Sequence, residues 1–259
     1  MLGLSEIAKY YPENQRGYQR FIIREYLQYK ILQIVFDDST YANKLCFLGD
    51  TCLRLVHENT RFSEDLDFDN FNLSPEDFDG ISSVIAKDLK KEGYEVEVKN
   101  VMRGAFHCYI RFTELLYKEG LSGHKEEKIL IQLDTEPQHF DFEPERYILN
   151  KFDVFTEILT TPKDILLAQK FFAILNRPRP KGRDFFDVVF LLGKTKPNYD
   201  YLKLKVGIES PKVLKSAILE RCSKIDMTEM ARDVATFLFD VKDEKRVRLF
   251  VDYLKQVEL

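Results

Sequence analysis

Within RFSEDLDFDN, residues 61–70, three aspartates alternate with two apolar residues: Asp65, Leu66, Asp67, Phe68, Asp69. An extended chain sends successive side chains to opposite faces, so the three carboxylates share one side of a strand. Aspartate is depleted in strands. Its repetition at period two suits either plain solvent exposure or a divalent cation that draws carboxylates together. In phosphoryl transfer a pair of such cations holds a triphosphate, aligns the attacking hydroxyl and offsets developing charge. A third carboxylate from a neighbouring strand would complete the site. KILIQLD offers Asp134, which closes an apolar strand on the side of Leu130 and Gln132. An Asp at a strand end is also common at turns.

Shortly before the acids, FLGDTCLRLV ends an apolar strand at Gly49 and opens a helix at Thr51. Such a junction gathers backbone N–H groups and the positive helix end, and Gly allows close approach, so it can hold a phosphate. It is equally a plain strand-to-helix connection. Further on, NRPRPKGR sets Arg177, Arg179, Lys181 and Arg183 in one proline-extended run, which suits either an RNA backbone or a solvated loop. Arg183 and Asp187 stand at i and i+4, the spacing of an ordinary helical ion pair. His57, His107, His124 and His139 read as structural or surface residues.

These groups need elements to position them. Residues 16–38 carry apolar side chains at helical spacing and predict a long amphipathic helix. A short strand to Gly49, a short helix and the acid strand at 65–70 follow. Ser74 as N-cap, Pro75 at the first helical position and Gly93 at the end delimit a helix of about five turns. YEVEVKNVM, FHCYIRF, KILIQLD and FDVFTEILT predict strands. After Thr161 helical periodicity prevails, broken at Pro178, Pro180, Pro197 and Pro211. The expectation is an α+β fold: a mixed sheet flanked by helices over residues 1–160, with a helical domain over 161–259. Strands and helices alternate too loosely for a Rossmann-type domain.

Composition narrows the class. The 259 residues, 44% of them hydrophobic, suit a soluble globular protein of one large or two modest domains. No apolar run approaches the roughly 18 residues of a membrane helix, and the N-terminus lacks a leader pattern, so the expected location is the cytoplasm. Cys46, Cys52, Cys108 and Cys222 show no C-x-x-C spacing, which fits a reducing compartment. The net charge of −4 requires any nucleic-acid contact to come from a local basic patch.

Taken together, FLGDTCLRLV…RFSEDLDFD resembles the opening motif of the AbiEii/AbiGii toxin type of nucleotidyltransferase, in the DNA polymerase β-like superfamily. The match lies at Gly49, Thr51, Arg61, Ser63, Asp65, Leu66 and Asp67. The segment LLAQKFFAILNRPRPKGRDFFDVVFLL resembles the second block of that family at Lys170, Arg183, Asp184 and Asp187. The two blocks extend the resemblance over about residues 40–195.

The resemblance implies a nucleotidyltransferase core with a helical C-terminal half and two Mg²⁺ ions. Asp65, Asp67 and Asp134 would be metal ligands, Asp134 also drawing the proton from the acceptor hydroxyl. Gly49 and Thr51 would cradle the β- and γ-phosphates of an NTP, with Arg61 and Ser63 in support. Lys170 would meet the triphosphate as a point charge, and Asp187 would be catalytic or orient Lys170 or Arg183, Arg183 belonging with the nucleotide-binding residues. Asp50 departs from the Gly or Ser of the family, and its carboxylate repels a triphosphate unless it points away or faces a metal. The implied reaction moves a nucleoside monophosphate to a hydroxyl, with the tRNA 3′ end or another RNA as acceptor. The implied context is a toxin–antitoxin or phage-defence pair with a cognate antitoxin. Two other readings stay open: a nucleotide- or partner-binding module without turnover, which Asp50 favours, and a metal-dependent phosphohydrolase.

Overall fold

The computed structural model describes residues 1–259, which divide into two compact units. The first comprises residues 1–58, 62–139 and 143–160; the second comprises 59–61, 140–142 and 161–259.

In the first unit the helices are α1 (Leu4–Ile7), α2 (Gln19–Asp37), α3 (Gly49–Leu55), α4 (Pro75–Lys91) and α5 (Leu115–Lys118). The strands are β1 (Leu45–Leu48), β2 (Leu66–Asn70), β3 (Val96–Arg103), β4 (Ala105–Phe112), β5 (Ile129–Glu136), β6 (Glu145–Lys151) and β7 (Val154–Thr160). They form one sheet in the order β3-β4-β5-β2-β1-β7-β6. The pairs β2–β5 and β1–β7 are parallel and the others antiparallel, so the fold is mixed α+β, as the sequence implies. The strand β6 is the one that periodicity does not reveal. It is an edge strand in which only Leu149 is buried, so it lacks alternation.

Helix α2 packs on β7 and touches α4. It is buried on nearly every side and even holds Glu25, Gln28 and Lys30 inside. Helix α4 starts as its sequence dictates: the Ser74 hydroxyl accepts from Asp77 N–H, the Asp77 carboxylate accepts from Ser74 N–H, and Pro75 occupies the first turn. Helix α3 begins at Gly49, two residues earlier than its sequence suggests, because Gly49 makes the turn itself at φ +78.

The second unit is helical: α6 (Lys163–Asn176), α7 (Gly182–Leu192), α8 (Tyr199–Val206), α9 (Pro211–Cys222), α10 (Met227–Ala235), α11 (Lys245–Arg248) and α12 (Phe250–Gln256). Gly182 lets α7 approach α10, since a Cβ there would lie 1.9 Å from the Met230 carbonyl oxygen. No helix of the chain is long and apolar enough to cross a membrane.

Candidate active site

The strand register aligns the acids. Asp67 on β2 is the direct partner of Asp134 on parallel β5, and Asp134 that of His107 on antiparallel β4. Direct partners project to the same face, so His107, Asp134 and Asp67 form one row across three strands spaced about 4.8 Å apart. Between the acids of β2, Leu66 and Phe68 are buried in the core, which turns Asp65 and Asp67 the other way. Asp65 sits one residue ahead of β2, where its carboxylate accepts from Gln132 N–H at 3.4 Å. Asp69 is buried and accepts from Gln138 N–H at 2.8 Å.

Asp134 is held from two sides. Gln132 Nε2 donates to its oxygens at 2.8 and 2.9 Å, and His107 Nδ1 lies 2.7 Å from Oδ1. Nothing in the sequence marks His107 for this contact, because only the register of β4 against β5 brings the two together. Behind the row, burial pushes the Cys108 thiol up to about 11, so this cysteine stays a neutral thiol.

Gly49 lies directly against the acids. A Cβ on it would come 2.3 Å from Asp67 Oδ2 and 2.9 Å from Asp67 Cβ. The bare backbone and the left-handed φ are both needed at this position. Asp50 follows, half-buried in the first turn of α3. The Thr51 side chain is fully buried. Its hydroxyl donates to the Asp65 carbonyl and lies 2.8 Å from the Ser63 hydroxyl, tying α3 to the segment that leads into β2. Gln28 of α2 holds the same segment by donating to the carbonyls of Ser63 and Glu64 at 3.2 and 2.9 Å.

A buried ionic network anchors the other end of α3. Arg54 donates to Glu25 through Nε at 2.7 Å and Nη2 at 3.1 Å, while Lys151 Nζ and the Tyr11 hydroxyl each donate to Glu25 Oε1 at 2.8 Å. Burial alone would raise the Glu25 pKa, but Arg54 and Lys151 outweigh it and hold the carboxyl below its usual range. Burial also pushes the Tyr11 hydroxyl up, reinforced by the Glu25 charge, so it remains a donor.

In the helical unit Asp187 of α7 is fully buried and gathers four donors. Arg61 approaches it in a bidentate fork, Nε to Oδ1 at 2.8 Å and Nη2 to Oδ2 at 2.6 Å. Asn59 Nδ2 donates at 2.8 Å, and Lys170 Nζ of α6 stands 2.8 Å from Oδ2. Asp184 takes Lys170 at 3.4 Å and Arg177 at 2.9 Å. Arg61 and Lys170 are thus enclosed among carboxylates, whereas the Arg183 guanidinium lies over the Phe237 ring at 4.9 Å. Of the basic run, Arg179 and Lys181 remain in the α6–α7 loop.

Hard oxygens from Asp65, Asp67 and Asp134 are the donor chemistry a divalent cation takes, and the missing Cβ at Gly49 is what admits the Asp67 carboxylate against the turn. The donors fit such a cation, although no three carboxylate, imidazole or thiolate groups converge as a finished cluster.

A mixed sheet with in-register carboxylates on adjacent strands and a glycine turn against them marks a nucleotidyltransferase. The chain belongs to the AbiEii family: the model of the nucleotidyl transferase AbiEii toxin, type IV toxin–antitoxin system, matches residues 30–246. Among solved structures it is similar to MenT4, a nucleotidyltransferase toxin from Mycobacterium tuberculosis H37Rv, at 16% identity and TM-score 0.58, covering 100% of this chain and 91% of that one. It is also similar to JHP933 from Helicobacter pylori, at 16% identity and TM-score 0.52, covering 91% and 93%. A nucleotidyltransferase from H. pylori, described as putative in its own right, gives 16%, 0.52, 92% and 97%. At this identity the likenesses speak for the fold. Comparison with curated protein sequences finds no match.

Proposed function

We propose that the chain transfers a nucleoside monophosphate from an NTP to a hydroxyl of an RNA, the 3′ end of tRNA being the acceptor the family reading favours, with release of pyrophosphate. The observation that carries this reading is the in-register pair Asp67 and Asp134, with Gly49 pressed against Asp67. Asp65, Asp67 and Asp134 would hold two Mg²⁺ ions, which when bound offset the negative charge of the triphosphate and of the transition state. Asp134 orients the acceptor hydroxyl and takes its proton. The carboxylate is kept in place for this by Gln132 and His107.

Gly49 and the backbone N–H groups that follow receive phosphate oxygens, as does the backbone of Thr51, whose hydroxyl is already committed to Asp65 and Ser63. Ser63 supports the acid segment through the Thr51 hydroxyl, and Arg61 is the cation paired with Asp187. Within the helical unit, Asp187 is the anion that orients Arg61 and Lys170, and Arg183 lies over the Phe237 ring. Asp50 stands at the turn itself, in the first turn of α3, where its carboxylate repels a triphosphate unless it points away or faces a metal. The protein acts in the cytoplasm as the toxin of a pair with a cognate antitoxin.

The test is incubation with each labelled NTP, Mg²⁺ and total tRNA. Label in RNA, with one pyrophosphate released per addition, is the expected result. Phosphate release without an acceptor would replace the reading by a phosphohydrolase, and nucleotide binding without product would replace it by a binding module.

A further inference from the structure

The β3–β4–β5 part of the sheet turns one face to the core, through Cys108, Ile110, Ile131 and Leu133, and the other to solvent. On the open face β4 presents His107, Tyr109 and Arg111 at alternate positions. The register sets Asp134, Gln132 and Leu130 beside them on β5, and Val101, Lys99 and Glu97 on β3. The three β4 side chains are flat π groups in series. The His107 and Tyr109 rings lie 6.5 Å apart at 34°, and the Arg111 guanidinium lies 5.4 Å from the Tyr109 centroid. On this face Glu97 is held by Lys128 at 2.8 Å, and Glu136 stands at the far end of β5, beyond Asp134. Lys99 and Arg111 therefore set two cations beside the rings on a chain whose net charge is −4.

Flat groups in a row beside cations, on an open sheet, suit unpaired nucleotides: bases stack on the planes and phosphates meet the charges. A duplex already stacks its own bases and has no use for such a row. The row starts at His107, directly opposite Asp134, and Tyr109 follows about 7 Å along the strand. If the nucleotide is held as proposed above, the triphosphate lies on the Gly49–Asp67 side, and in-line displacement brings the acceptor hydroxyl from the β5–β4 side. We propose that the His107–Tyr109–Arg111 face of β4 binds the unpaired end of an RNA acceptor, with bases stacked on Tyr109 and Arg111 and a phosphate met by Lys99. The direction of the acceptor rests on the nucleotidyl-transfer reading; the binding itself does not.

Binding measured without NTP or metal separates the two. The probe is a fluorescein-labelled single-stranded RNA of about 12 nucleotides, followed by anisotropy. Tyr109→Ala is expected to weaken binding about tenfold, while Tyr109→Phe, which keeps the ring, stays within about twofold of the unaltered protein. Lys99→Ala should reduce the salt dependence, and a blunt duplex of the same sequence should compete at least about tenfold less well. NTP affinity should not change in any variant. The proposal is overturned if the unaltered protein does not bind the probe, if Tyr109→Ala binds as it does, if Tyr109→Phe loses as much as Tyr109→Ala, or if the duplex competes equally. Tyr109-dependent binding in a protein that transfers no label to RNA would sink the transfer reading and leave this surface standing.

Discussion

Replacing Gly49 by alanine tests how the turn and the acid row are fitted together. Two costs arise from the structure. The backbone at φ +78 is open to Gly but penalises a β-carbon by about 1–2 kcal/mol. The new methyl would also lie 2.3 Å from Asp67 Oδ2, against an ordinary contact of about 3.5 Å, so the carboxylate must retreat by roughly 1 Å. The backbone term predicts a fall in Tm of roughly 2–8 °C by calorimetry. The displacement predicts a loss of about 10²-fold in kcat for nucleotide incorporation, since a shift of that size at reacting groups costs this much. Circular dichroism should show the fold unchanged. If Gly49→Ala melts with the unaltered protein and retains its activity, the close approach of Gly49 and Asp67 is not what positions the carboxylate.

Other substitutions probe the supports. Asp187→Asn should cost about 3–5 kcal/mol in denaturant unfolding, because it leaves the fully buried Arg61 without its counter-ion; a loss below 1 kcal/mol would contradict that role. Thr51→Val should cost about 1–3 kcal/mol by leaving the Asp65 carbonyl without its donor, and should lower kcat through the acid segment. Glu25 is held below its usual range when folded, so its contribution is present above the pKa of the unfolded chain, about 4.3, and is lost as pH falls through the lower folded value. Glu25→Gln should therefore be less stable at neutral pH and show a shallower loss on acidification. Parallel curves would contradict the assignment.

The sheet core and its turns were legible where local chemistry is decisive. The run from Leu45 to Gly49 announces a strand and a turn, and Ser74, Pro75 and Gly93 delimit α4 by capping alone. Strand β6 was not legible, because an edge strand with four exposed residues in succession has no two-residue pattern. Asp65 and Asp67 stood out through their own spacing, and Gly49 and Asp134 through their strand ends, but the groups that hold them did not. His107 reaches Asp134 across 27 positions through strand register, a long-range property. The network of Tyr11, Glu25, Arg54 and Lys151 likewise draws on three elements and the segment before α2, its three charged members reading as surface charge until burial is known. Thr51 was visible as a candidate residue, yet only the structure tells that its hydroxyl faces Ser63 and the Asp65 carbonyl.

Nucleotidyl transfer by the acid row is tested most directly by incorporation of labelled NMP into RNA by the unaltered protein, by Asp67→Asn and by Asp134→Asn, with Mg²⁺ and after its removal by a chelator. Label and pyrophosphate are expected from the unaltered protein with Mg²⁺, no product after chelation until Mg²⁺ is restored, and at least about 10³-fold less product from either variant at equal thermal stability. Equal incorporation by the unaltered protein and Asp67→Asn would show that the chemistry lies outside the row of acids.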